Sequence, residues 1–170
     1  MGIKTLLYIV LVAFLLVVLG TPLLETFLLG RDKILLSSTI YNSYRAAKEA
    51  SYSYQAMRDI DALVYEQSFR DSFADTFCTS YDMYCTDTTS DTLRFESYDD
   101  TFNEYVVTIN FSAPERLTNE DDGNAQTTRV TVTAESNYKF RTKLMQFMND
   151  LAATPFVLRA EREYTMKVTN

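Results

Sequence analysis

The sequence predicts an α+β protein in which a long N-terminal hydrophobic helix continues into an amphipathic helix packed on a small antiparallel β-sheet. Three patterns carry that expectation. Thr5 to Leu24 contains no charged residue. Leu36, Ile40, Tyr44, Ala47 and Tyr54 recur at spacings of three, four and seven. Tyr105, Val107, Ile109 and Phe111 alternate with Val106, Thr108 and Asn110.

The first pattern is a membrane segment. Leu6 to Leu19 is almost continuously aliphatic, and at 1.5 Å per residue about twenty residues cross the roughly 30 Å hydrocarbon layer of a bilayer. A cleaved signal peptide competes with this reading, with Lys4 as its basic flank and Val18-Leu19-Gly20 as its small-residue site. Pro22 so soon after that site disfavours cleavage, and Leu23, Leu24, Phe27, Leu28 and Leu29 prolong the apolar character. The expected organisation is therefore a retained anchor over residues 1–30 and an α+β domain over 31–170. Lys4 faces Arg31, Lys33 and Arg45 across the segment, so counting basic residues alone would keep the domain cytoplasmic. That rule weakens for large translocated domains, and a cysteine pair favours export. The amino terminus is expected inside, in a single-pass topology with the domain outside the cytoplasm.

Beyond Gly30 the helical rhythm continues without a linker. Arg45, Lys48, Glu49 and Arg58 fall between the apolar positions, and residues 31–60 contain neither Pro nor Gly. Ile60, Val64, Phe69, Phe73 and Phe77 extend an apolar face, which predicts a second helical piece reaching the cysteines. Asp82 to Asp91 is rich in Thr, Asp and Ser and reads as a loop. Leu93 and Phe95 begin a strand pattern, 105–111 is the clearest strand, and Ala113-Pro114 closes it. An acidic connection over 115–127 leads to a further strand at Arg129 to Ala134, completing a meander. Leu144 to Leu151 has helical spacing, and Phe156 to Val168 resembles a final long strand.

Chemistry is scarce. The net charge of -7 and pI near 4.6 argue against nucleic acid, whose binding needs a basic face. With no histidine, the commonest general base and the Ser-His and Cys-His pairs are unavailable. The four glycines, at 2, 20, 30 and 123, form no phosphate-cradling motif. Glu120, Asp121, Asp122 and Asn124 offer oxygen ligands, but their spacing is not that of an EF-hand loop, and a solvated turn is the plainer reading. Asp99-Asp100 and Glu161-Arg162-Glu163 are charge pairs without a definable pocket. No catalytic, cofactor-binding or metal-ligating residue is expected, and no cofactor.

Cys78 and Cys85 stand seven positions apart. Behind an export segment the expected state is a local disulfide, worth roughly 2–3 kcal/mol if unstrained. Two free cysteines acting as small hydrophobes are the alternative. Asn110-Phe111-Ser112 fits a glycosylation acceptor, a pattern common by chance.

An apolar helix running into an amphipathic one and then a small sheet resembles the plan of type IV pilin-like proteins, and Pro22 falls where such helices often bend. Thr5 stands where pilins often carry a glutamate. Gly20 and Glu25 have a similar separation, but the apolar run precedes them. The C-terminal third is similar to the TadE and TadG pseudopilins of tight-adherence pili, through Arg129 to Ala134 with Tyr138, Lys143-Leu144-Met145, and Phe156 to Glu161. The resemblance implies a structural subunit or minor pseudopilin rather than an enzyme. Its partners would be copies of itself or other pilins in a surface filament, and membrane lipid before assembly. Leu11, Phe14, Leu15 and Val18, with Pro22 above them, form the sector of the N-terminal helix expected to carry that assembly. The alternative is a single-pass anchored binding or sensing module.

Overall fold

The computed structural model describes residues 2–51, 65–88, 91–99, 103–113, 115–116 and 126–168. Their architecture is α+β. Helix α1 (Ile3–Ser51) runs from the apolar segment into the domain, and α2 (Glu66–Tyr81) returns beside it. The strands are β1 (Met83–Thr88), β2 (Thr92–Ser97), β3 (Tyr105–Phe111), β4 (Glu115–Arg116), β5 (Gln126–Asn137) and β6 (Val157–Val168). Helix α3 (Lys143–Leu151) sits in the β5–β6 connection. Expectations placed on Tyr54, Arg58, Ile60, Val64, Asp100, Pro114 and the 120–124 acidic cluster lie outside the described residues.

Every pairing in the sheet is antiparallel. β1, β2, β3 and β5 are successive neighbours, and β5 also pairs with β6 and with the two-residue β4. The β5–β6 ladder is the longest, from Gln126 opposite Val168 to Asn137 opposite Val157. Alternation sets the buried face as the sequence predicts: Tyr105, Val107 and Ile109 on β3, and Val130, Val132 and Ala134 on β5, turn inward.

Both helices cover that face. On α2, Phe69, Phe73 and Phe77 repeat every four residues and are fully buried. Phe77 packs 4.4 Å from Phe95 between ring centroids, and Phe69 meets Phe111 edge-on at 5.3 Å. On α1 the stripe Leu36, Ile40, Tyr44 and Ala47 is buried, with Tyr44 stacked on Tyr164 at 3.8 Å. Ser68 Oγ donates to the Ala50 carbonyl, which ties the start of α2 to the end of α1. The helices are therefore antiparallel, and the end of α2 returns towards the apolar segment.

Two expectations change. Asp82 to Asp91 is not all loop, because Met83–Thr88 forms β1. Its pairing is sustained by cross-strand contacts such as Tyr84 Oη to Glu96 and Thr86 Oγ1 to Glu96, around a bulge between Cys85 and Asp87. Asp82 makes the corner from α2, in the left-handed conformation at φ 52° with its N–H on the Cys78 carbonyl. The predicted disulfide is not formed either. Both thiols are free, Cys78 in the last turn of α2 and Cys85 on β1, where its Sγ is 3.6 Å from the Asp87 carbonyl. Burial, then the neighbouring Cys85, raises the Cys78 thiol to about 11.

Candidate functional site

The residues singled out for assembly all lie on the lower part of α1. Leu11, Phe14, Leu15 and Val18 are exposed, at 51%, 62%, 45% and 37%, and the apolar window of this helix has no buried residue. By length and composition α1 is a candidate single membrane span. Pro22 lies inside the helix without ending it. Having no N–H, it leaves the Val18 carbonyl without its intrahelical donor, while Thr21 and Thr26 turn their hydroxyls back onto the Val17 and Pro22 carbonyls.

At about 100° per residue, Leu11, Phe14, Leu15, Val18 and Pro22 occupy one sector of α1. Glu25, Asp32, Leu36, Ile40, Ser43 and Ala47 continue it upward, and all six are buried. The stripe that packs under the sheet therefore extends downward as the exposed apolar stripe. The expected boundary at Gly30 falls within α1, and burial begins at Glu25.

At the join, two carboxyl groups fasten the domain to the helix. Glu25 is 1% exposed. Its Oε1 accepts the backbone N–H of Thr142 at 2.6 Å, at the start of α3, where the helix dipole favours an acidic group. Glu25 Oε2 is buried without a hydrogen-bond partner. Two turns higher, Asp32 Oδ2 accepts from Tyr138 Oη at 3.2 Å, and Oδ1 accepts from Arg31. Burial first, then Asp32 and Glu25, push the Tyr138 phenol up to about 12, with Arg141 opposing. Tyr81 and Tyr105 lie in the same layer and are also raised, chiefly by burial. Tyr138, Phe140 and Phe156 pack around the base of α3, with centroids 5.1 to 6.2 Å apart.

This join holds parts together. Among the described residues no three His, Cys, Asp or Glu side chains gather where they could share a metal ion. The acceptors meet a backbone amide and a phenol, so the arrangement sets the attitude of α3 and the sheet relative to α1. Sequence reading missed Glu25 and Asp32, although their seven-residue spacing, continued by Leu36 four positions on, placed them on the core stripe.

Elsewhere, a shallow groove between α1 and β6 is bordered by Ile34, Ser37, Tyr41, Arg162 and Tyr164, with Arg162 donating twice to Ser37 Oγ. Asn110 is exposed on β3. No family model, curated protein or solved structure matches the chain.

Proposed function

We propose that this chain is a structural subunit or minor pseudopilin of a type IV or tight-adherence-like surface filament, held in the membrane as a single-pass protein before assembly. The domain lies outside the cytoplasm, and the chain works by packing rather than catalysis. One observation carries the reading: α1 is continuous from the candidate span into the domain's core, while its lower apolar sector is uncovered. A subunit leaving the bilayer must bury that surface again, and copies of the same helix supply a matching one.

The test substitutes Phe14→Ala and Leu15→Ala together. Lipid accepts many apolar shapes, so membrane levels should not change. Neighbours in a filament pack specifically, and truncation costs roughly 2–5 kcal/mol at each well-packed site. Filament number and length, imaged with and without the gene and then with the variant, should fall sharply. Unchanged filaments would remove the proposal. The groove between α1 and β6 then favours the second reading, an anchored binding or sensing module.

A further inference from the structure

Helix α3 has nine residues, none of them buried. Its apolar side chains are nevertheless ordered: Leu144, Phe147, Met148 and Leu151 sit at i, i+3, i+4 and i+7 and are 38%, 60%, 54% and 70% exposed. Met145 and Asn149, half-buried, turn the helix's other side toward the protein, and Lys143, Gln146 and Asp150 occupy the polar edge. A solvated helix has no reason to segregate four large apolar residues into one stripe.

Its position names what covers that stripe. Thr142, at the helix start, is bonded to Glu25, the first residue of α1 after the uncharged run ending at Leu24. Helix α3 is thus held at the level where the candidate span ends, above the sector carrying Val18 and Pro22. Arg31, Lys33, Arg141 and Lys143 are exposed around this level, with Arg31 paired to Asp32 and Asp150 exposed on the polar edge of α3, so basic groups are in excess here although the chain as a whole carries a net charge of -7. A local basic excess on an acidic protein matches phospholipid headgroups.

We infer that α3 is an interfacial helix whose Leu144, Phe147, Met148 and Leu151 face lies in the surface of the bilayer that α1 crosses. The inference rests on the membrane-span part of the proposal above and is independent of filament formation. It gives the chain two membrane contacts, one crossing and one lying flat, joined rigidly through Glu25. An anchor alone leaves the domain free to tilt on its helix axis; a second contact fixes both tilt and rotation.

The chain has no tryptophan, so a single introduced one is an unambiguous reporter. Full-length Phe147→Trp, Phe14→Trp and Tyr65→Trp variants are reconstituted into phosphatidylcholine and phosphatidylglycerol vesicles, at a lipid excess that keeps copies apart. Tyr65, at the start of α2, marks the far end of the domain. Brominated acyl chains quench a nearby indole. An interfacial helix rides ~5–10 Å into the headgroup and acyl boundary, so shallow bromines should remove about half of the F147W emission. They should leave Y65W bright, while F14W is quenched by deep bromines. F147W as bright as Y65W, with F14W quenched, would overturn the inference and leave the span intact. An unquenched F14W would remove the span and this inference with it. Quenching of Y65W as well would place the whole domain on lipid and void the assignment to α3.

Discussion

The two halves of α1 are one helix with one continuous stripe, yet their stripes meet different surroundings. Above Glu25, Leu36, Ile40, Tyr44 and Ala47 are buried by α2 and the sheet. Below it, Leu11, Phe14, Leu15 and Val18 occupy the same helical sector and are left exposed by the described residues. The difference teaches that helical periodicity marks a face without saying what covers it. The upper stripe is completed within the chain. The lower one needs lipid or another chain, and the carboxyl groups of Glu25 and Asp32 mark where one regime gives way to the other.

The largest contrast should come from equal truncations on the two sides of that boundary. Phe77 is fully buried among Phe73, Phe95 and Tyr105, so Phe77→Ala should lower the domain's stability by about 3–5 kcal/mol. Phe14→Ala should leave it unchanged. Denaturant unfolding in detergent, followed by near-UV circular dichroism of the tyrosines, measures both. A destabilised domain in Phe14→Ala would mean that the lower helix is part of the same cooperative unit, and the comparison would fail.

Next in size is the boundary itself. Asp32→Ala removes the acceptor of the Tyr138 hydroxyl and leaves a buried donor unpaired, a loss of about 1–3 kcal/mol. Asp32→Asn keeps an acceptor and should recover part of it. If both variants unfold as the parent does, the carboxyl group does not fasten the domain to the helix.

How much of this was legible in the sequence depends on whether a side chain's partner is local. Tyr105, Val107 and Ile109 announce β3 because one face is apolar and the other is not. Phe69, Phe73 and Phe77 announce α2 in the same way. β1 was hidden because Tyr84, Thr86 and Asp87 are polar, and their pairing depends on Glu96 and Arg94 on the facing strand β2. Glu25 and Asp32 were hidden for a stronger reason. An acidic residue on a core stripe looks like an interruption until its donors, Thr142 and Tyr138, arrive from more than a hundred residues away. Cys78 and Cys85 were close in sequence, but spacing cannot place one on a helix and the other on a strand.

A smaller effect, with a pH signature, is expected at Tyr138. Tyr138→Phe deletes one hydrogen bond to Asp32, about 1 kcal/mol at neutral pH. The folded-state value of about 12 lies above the ordinary 10, so the phenol ionises more easily in the unfolded chain. Its contribution is complete below pH 10 and is lost as pH rises towards 12. The gap between parent and variant should therefore shrink across that window and change sign, because the displaced ionisation outweighs a single hydrogen bond. Tyr81 and Tyr105, also raised, are present in both proteins and cancel. A constant gap from pH 8 to pH 12 would show that neither burial nor Asp32 holds the proton on Tyr138 in the folded chain.

The smallest effect tests the comparison with one methyl group on each side. Gly20 and Gly30 are both helical, and a Cβ at either meets nothing within 4 Å, so neither glycine is required by contacts within the chain. Gly30 lies above Glu25, where the helix belongs to the folded domain. Replacing it with alanine should stabilise that domain by about 0.5–1 kcal/mol, through the lower backbone entropy of the unfolded chain. Gly20 lies below, in the candidate span, where an apolar surrounding such as detergent already enforces a helix, and Gly20→Ala should leave the unfolding midpoint unchanged. In a filament the same methyl group acquires a neighbour, because small residues are what allow helices to approach closely. Fewer filaments from Gly20→Ala, with a normal midpoint and normal membrane levels, would place a second helix against that position. Normal filaments would leave Gly20 facing lipid or open space. A raised midpoint for Gly20→Ala equal to that of Gly30→Ala would mean that the halves of α1 unfold together, erasing the boundary drawn at Glu25.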